Sequence, residues 1–112
     1  MKVYGIPNCG SVKKARVLLE EHNRQYEFID FKKQPPTPEL IKDWISQAGM
    51  DLVLNKRGTT WRTLEEAQKA LTAESDLIAL MAQHPSLIKR PIIETGSALL
   101  VGFDANKITD SI

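Results

Sequence analysis

Tyr4-Gly5-Ile6-Pro7-Asn8-Cys9-Gly10-Ser11-Val12-Lys13-Lys14-Ala15 is the stretch whose reading decides the fold. Val3, Tyr4 and Ile6 form a short apolar run that reads as a strand, and Pro7 ends it. From Ser11 to about His22 the apolar positions Val12, Ala15, Leu18 and Leu19 fall on one helical face, with Lys13, Lys14, Arg16, Glu20 and Glu21 on the other. Cys9, the only cysteine in the chain, therefore stands at a strand-to-helix turn. Unpaired backbone N–H groups and the positive end of the helix dipole point there. Both favour a thiolate, the reactive form of cysteine.

Working outward, Tyr26 to Phe31 is aromatic and β-branched and reads as a second strand. A strand–helix–strand unit makes the two strands parallel, joined by a right-handed crossover. Thr37-Pro38-Glu39 is a helix start: a capping threonine, a proline in the first turn and an acid near the positive end. Leu40, Ile41, Trp44, Ile45 and Ala48 follow at helical spacing, and Gly49 stops the helix. Asp51 to Leu54 reads as one more helical turn, and Asn55 to Arg62 as a loop. Thr63 and Glu66 have capping-box spacing and predict a short helix carrying Leu64, Ala67 and Leu71. A further helix is predicted over Ala73–Gln83, stopping before Pro85. Beyond Pro91 the pattern turns to strand: Ile92-Ile93, a tight turn at Thr95-Gly96-Ser97, then Ala98 to Val101, a hairpin. Asp104 caps a last helix from Ala105 to about Asp110. The expectation is an α/β protein with a four-stranded mixed sheet and a helical insertion, about residues 37–88, between the second and third strands.

At 112 residues, with 42% hydrophobic and 26% charged content, the chain suits one domain, 1–112, that needs no staples. One cysteine excludes an internal disulfide framework, and no residues are spaced as a metal site. A net charge of +1 gives no argument for a nucleic-acid partner. No run of 18 apolar residues exists to span or anchor in a membrane. Neither a signal peptide nor a membrane partner is expected, and a free thiol belongs in a reducing compartment, so a cytoplasmic location is expected.

Four stretches carry a family resemblance. They are Gly5-Ile6-Pro7-Asn8-Cys9 followed by Lys13-Lys14-Ala15, Asn55-Lys56-Arg57-Gly58-Thr59-Thr60-Trp61-Arg62, Ile88-Lys89-Arg90-Pro91-Ile92, and Leu100-Val101-Gly102-Phe103. In this order and spacing they resemble the ArsC/Spx family of bacterial thioredoxin-like proteins, and within it the YffB type. The resemblance implies that Cys9 is a redox nucleophile and that Pro91 is cis and lies beside it. Arsenate reductases of the family surround the oxyanion with three arginines. Arg90 matches one of these and Arg57 a second, but Leu100 to Phe103 offers no third. Spx-type regulators, which contact RNA polymerase, usually carry C-x-x-C. Here the fourth position is Val12, so no local disulfide can form.

What the resemblance leaves is a glutathione-dependent thiol reductase. Cys9 would form a mixed disulfide that an outside thiol must resolve, since the chain has no second cysteine. Alternatively, Cys9 is oxidised to a sulfenic acid that glutathione then caps. The expected substrate-binding residues are Asn8, Gly10, Arg57, Arg90, Pro91 and Ile92. Arg90 in particular could lower the thiol pKa and hold a carboxylate of glutathione. Glutathione is expected as co-substrate with no tightly bound cofactor and no metal. A disulfide or glutathionylated molecule would be the substrate, and the chain would act as a monomer. Arsenate reduction and an Spx-like regulatory role without turnover remain the alternatives. Trp61 is expected to pack the inserted helices rather than wall a substrate groove.

Overall fold

Ala15 and Leu19 of the first helix and Ile108 of the last settle on one face of the sheet, and this sets the architecture. The computed structural model describes all residues, Met1–Ile112. The strands are β1 (Lys2–Gly5), β2 (Glu27–Asp30), β3 (Ile92–Glu94) and β4 (Leu99–Val101). The helices are α1 (Gly10–Glu21), α2 (Pro38–Ala48), α3 (Met50–Val53), α4 (Thr59–Thr63), α5 (Glu66–Lys69), α6 (Glu74–Gln83) and α7 (Ala105–Ser111). The chain forms two compact units, Met1–Gln34 with Arg90–Ile112, and Pro35–Lys89.

The first unit holds the whole sheet, in the order β2-β1-β3-β4. β1 and β2 are parallel; β1–β3 and β3–β4 are antiparallel. This is the mixed sheet that the order of elements predicts, with the helical block between the second and third strands. Val3 pairs with Phe28 on one side and Ile93 on the other, and Ile93 pairs with Leu100. Register places these side chains on one face. There Val3 and Ile93 pack with Ala15 and Leu19 of α1 and Ile108 of α7, all fully buried. Each of the larger of these side chains contributes roughly 1.5–3 kcal/mol by leaving water. Arg16 closes the edge of this cluster: its guanidinium lies 4.1 Å from the Phe28 ring centroid, and its Nε donates to the Tyr26 hydroxyl at 3.1 Å. The opposite face of the sheet carries Tyr4, Ile29 and Ile92, also buried.

Local capping chemistry explains most element ends. The Thr37 hydroxyl accepts from the Leu40 amide at 3.2 Å, with Pro38 in the first turn of α2 and Gly49, at φ +92°, ending it. Asp104 accepts from the Lys107 amide at 3.1 Å and starts α7. Gly96, at φ +99°, turns the β3–β4 hairpin, and the Thr95 amide and hydroxyl both donate to the Ala98 carbonyl.

Several sequence readings are corrected. β1 begins at Lys2 and stops at Gly5, so Ile6 lies beyond it. The stretch Asn55 to Arg62 is not wholly a loop, because α4 starts at Thr59 with Gly58 as its cap residue. The capping box is shifted two residues: Glu65 and Gln68 satisfy each other's backbone amides, while Thr63 sits inside α4 and donates to the Thr60 carbonyl. α6 stops at Gln83, before Pro85 as its sequence predicts, and Pro85–Leu87 adds a 3-10 turn. In the second unit the segment is stitched non-locally. The Asn55 amide donates to Leu87 (2.7 Å), the Lys89 amide to Val53 (2.8 Å), and Thr60 shares a hydroxyl hydrogen bond with Ser86 at 2.8 Å.

Candidate functional site

Cys9 is the cap residue of α1, with extended backbone (φ −83°, ψ 127°), so its side chain stands where the helix's first amides are unpaired. Its carbonyl accepts the first helical bond, from Lys13 at 2.9 Å, and its own amide donates to Ile6 at 3.3 Å. The turn is thus fixed on both sides of the thiol, which is partly exposed and free of any disulfide.

Partial burial is the largest single influence on this thiol and works against its ionisation. It is outweighed. The Val12 amide, the Arg90 guanidinium and the Ser11 amide each interact with the sulfur, and the Arg90 charge adds attraction, so the pKa lies below its ordinary value. The two amides are not full capping hydrogen bonds by geometry. They act as oriented dipoles on the charged form.

Gly5 lies against Val12, the residue that supplies one of those amides. A Cβ on Gly5 would lie 2.6 Å from Cγ2 of Val12, which is completely buried. The end of the central strand and the first turn of α1 therefore touch at a distance that only a glycine permits.

Arg90 arrives from the other end of the chain. The peptide to Pro91 is cis, and the Pro91 carbonyl accepts from the Gly102 amide at 2.8 Å, tying the segment to the residue after β4. Arg90 is partly buried, with its Nε withdrawn from solvent. Pro91 is buried. Ile92 is fully buried and pairs with Tyr4 and Val101, so its side chain is closed off from any ligand. Asn8 is exposed beside the thiol. Gly10 is exposed as the first residue of α1, and a Cβ there would meet nothing within 4 Å, so no close approach within the chain requires a glycine. Lys13 and Lys14 are exposed on the solvent face of α1.

Arg57 belongs to the second unit. Its side chain lines a cleft of about 290 Å³ with Lys56, Lys89, Asp51 and Asn55. The Arg57 amide donates to Asn55 Oδ1 (3.0 Å), and Arg62 Nη2 donates to the Arg57 carbonyl (2.8 Å), which fixes the backbone there. Trp61 is half-buried, with the Lys56 ammonium 5.2 Å from its ring centroid. No cluster of His, Cys, Asp and Glu is arranged to hold a metal, and no helix is long and apolar enough to cross a membrane.

Sequence reading missed three contributors to the environment of the sheet end and thiol. Val12 is read there only as the absence of a second cysteine, although its amide is the strongest influence favouring the thiolate. Gly5 is given no role; a glycine closing a strand ahead of a helix is the signal that marks close approach. The third is Tyr4, whose hydroxyl donates to Glu94 Oε1 at 2.8 Å. Burial first, and then this carboxylate, push the Tyr4 phenol well above its usual range, so it remains a donor.

The fold and thiol together define a thioredoxin-like α/β protein with a single cysteine at the start of its first helix. Comparison with known proteins carries the assignment further. The ArsC family profile matches residues 4–111, so the chain belongs to the ArsC family. A solved YFFB protein is 43% identical, with 98% of this chain and 96% of that chain covered and a TM-score of 0.94. An arsenate reductase (ArsC) related protein from Brucella melitensis is 35% identical over 97% of this chain and 91% of its own, with a TM-score of 0.75. The global transcriptional regulator Spx of Listeria innocua is 31% identical over 95% of this chain and 82% of its own length.

Proposed function

We propose that the protein is a glutathione-dependent thiol reductase of the reducing cytoplasm, with Cys9 as its only nucleophile. The observation that supports this most is the convergence of the Val12 and Ser11 amides and the Arg90 guanidinium on one free, partly exposed thiol. Such a setting lowers the pKa and keeps the sulfur accessible, the two conditions a reactive cysteine needs.

In the proposed cycle the Cys9 thiolate attacks the glutathione sulfur of a glutathionylated substrate. The Cys9–glutathione disulfide forms, the substrate's sulfur–sulfur bond breaks, and the substrate leaves as a thiolate that takes a proton from water. With no second cysteine, a glutathione thiolate then attacks the adduct. Oxidised glutathione leaves and the Cys9 thiolate returns. One molecule of glutathione has supplied the reducing equivalents together with the glutathione carried in. Arg90, already at the sulfur, offers a planar donor for a glutathione carboxylate. Asn8, Gly10, Pro91 and Ile92 are proposed as further glutathione contacts, and Arg57, in the second unit, is proposed as an independent anion-binding residue.

Mass spectrometry of the folded protein exposed to oxidised glutathione tests this reading. One glutathione per chain, located on Cys9 and released by reduced glutathione, is expected. A Cys9 that resists both glutathionylation and alkylation would overturn it. Arsenate turnover is expected to be weak, because Leu100-Val101-Gly102-Phe103 provides no third arginine for the oxyanion.

The likeness to Spx favours a second reading, a regulator that works by binding. Cys9→Ala separates the two. Retention of the full cellular phenotype by this variant would support binding and sink the enzyme.

A further inference from the structure

We propose that Gly5 is a positioning residue for the Cys9 thiolate, acting through the Val12 side chain. This inference rests on the reading of Cys9 as a reactive thiol and deepens it.

The geometry is a three-part contact. Gly5 ends β1, the strand flanked on both sides in the sheet. It is held there by its register with Asp30 and by its carbonyl, which accepts from the Phe31 amide at 2.8 Å. Directly against it stands Val12, with no exposed surface, in the first turn of α1. A Cβ on Gly5 would meet Val12 Cγ2 at 2.6 Å, closer than carbon atoms in real structures approach. Valine in a helix has essentially one rotamer, so Cγ2 cannot swing aside as the end of a flexible chain would. A methyl on Gly5 must displace something.

What yields is decided by how each side is tied. Gly5 is in register with Asp30 of β2 and accepts from the Phe31 amide, and the residue before it, Tyr4, is paired on both edges, with Ile29 and Ile92. The start of α1 is held only by the Cys9 amide on Ile6 and the Lys13 amide on Cys9, while the amides of its first turn between them have no helical partners. The first turn of the helix therefore moves. That turn carries the Val12 and Ser11 amides that face the sulfur, so their alignment with it is lost. Gly5 touches neither the thiol nor a ligand; its absent side chain sets the seat of the helix start. The same contact gives Val12 a positive role, since its buried side chain presses on Gly5 while its amide faces the thiol.

The test is the pH dependence of Cys9 alkylation by iodoacetamide in the wild type, Gly5→Ala, and Gly5→Ala/Val12→Ala. The single cysteine makes the signal unambiguous. Gly5→Ala is expected to move the midpoint up by roughly half a pH unit or more, the size of effect expected from losing oriented amides. The double variant makes room for the new methyl and is expected to bring the midpoint back toward wild type. Ile108→Val loosens the same unit elsewhere and is expected to leave the midpoint in place.

If Gly5→Ala leaves a depressed midpoint unmoved, or if Ile108→Val moves it equally, the role of Gly5 is refuted while the reactive thiol stands. If the wild type itself titrates as an ordinary thiol, the reading of Cys9 fails instead. Should Gly5→Ala not fold, the double variant alone decides. A midpoint within about 0.2 of wild type in that folded variant is expected, and a rise as large as that expected for Gly5→Ala alone would overturn the inference.

Discussion

The turn at Cys9, which meets Arg90 from the far end of the chain, and the segment Asn55–Thr63, which carries its own Arg57, are held by different means. At Cys9 the ties are local and steric: Lys13 to Cys9, Cys9 to Ile6, and Gly5 against Val12. At Asn55–Thr63 the ties are polar and mostly long-range: Asn55 to Leu87 and Thr60 to Ser86, with one local bond from Arg62 back to the Arg57 carbonyl. The arginines differ accordingly. Arg90 is partly buried and engages a thiol, whereas Arg57 is exposed over a cleft. One region places an arginine against a thiol; the other leaves its arginine open beside a cleft.

The largest expected effect removes the nucleophile. Cys9→Ser is expected to lower glutathione-linked reductase turnover by at least about a thousandfold, because a hydroxyl at neutral pH forms no comparable anion. Residual activity near wild type would mean that Cys9 is not the nucleophile.

The two arginines provide the next contrast. Arg90→Ala removes a hydrogen bond and a charge from the thiolate, so the alkylation midpoint of Cys9 is expected to rise by roughly one pH unit. Arg57→Ala is expected to leave that midpoint alone, since every influence on the thiol comes from its own unit. It is expected instead to raise the glutathione concentration needed for half-maximal rate. Equal effects of both variants on both readouts would erase the distinction.

Stability against pH sharpens the same point. The folded thiol has a pKa below its unfolded value. Its contribution is therefore full above the unfolded thiol pKa, about 8.5, and is lost as pH falls through the folded one. Relative to Cys9→Ser, the wild type is expected to gain stability in denaturant titrations between those two pKa values as pH rises. A flat difference across that window would contradict a thiolate stabilised by its surroundings.

How far each region was legible in the sequence follows from the same contrast. Thr37-Pro38-Glu39 states its helix start within three residues, and α2 begins where that reading places it. The thiol's place at a strand–helix junction is equally local. The partner from the other end of the chain, Arg90, came only through resemblance, because no periodicity links residues 9 and 90. α4 was hidden for a physical reason. Thr59, Thr60, Trp61 and Thr63 are poor helix formers, and Gly58 offers no capping side chain. Its hydroxyl tie to Ser86, 26 residues on, is invisible to local reading.

The smallest expected effect isolates that failure. Thr63 and Glu66 have the right spacing for a capping box, and Glu65 and Gln68 have it too, but serine or threonine is the usual first member. Tertiary context chose the second pair: Thr63 is spent inside α4, where its hydroxyl donates to the Thr60 carbonyl, and the chain turns extended at Leu64 and Glu65 before α5 begins. Glu65 then accepts from the Gln68 amide while Gln68 Oε1 accepts from the Glu65 amide at 3.0 Å. Glu65→Ala is therefore expected to cost about 0.5–1 kcal/mol in urea denaturation, and Thr63→Ala only a few tenths. The effects are small because α5 is four residues long and exposed, so its cap orders little else. A larger loss from Thr63→Ala than from Glu65→Ala would return the helix start to the position that spacing alone suggests.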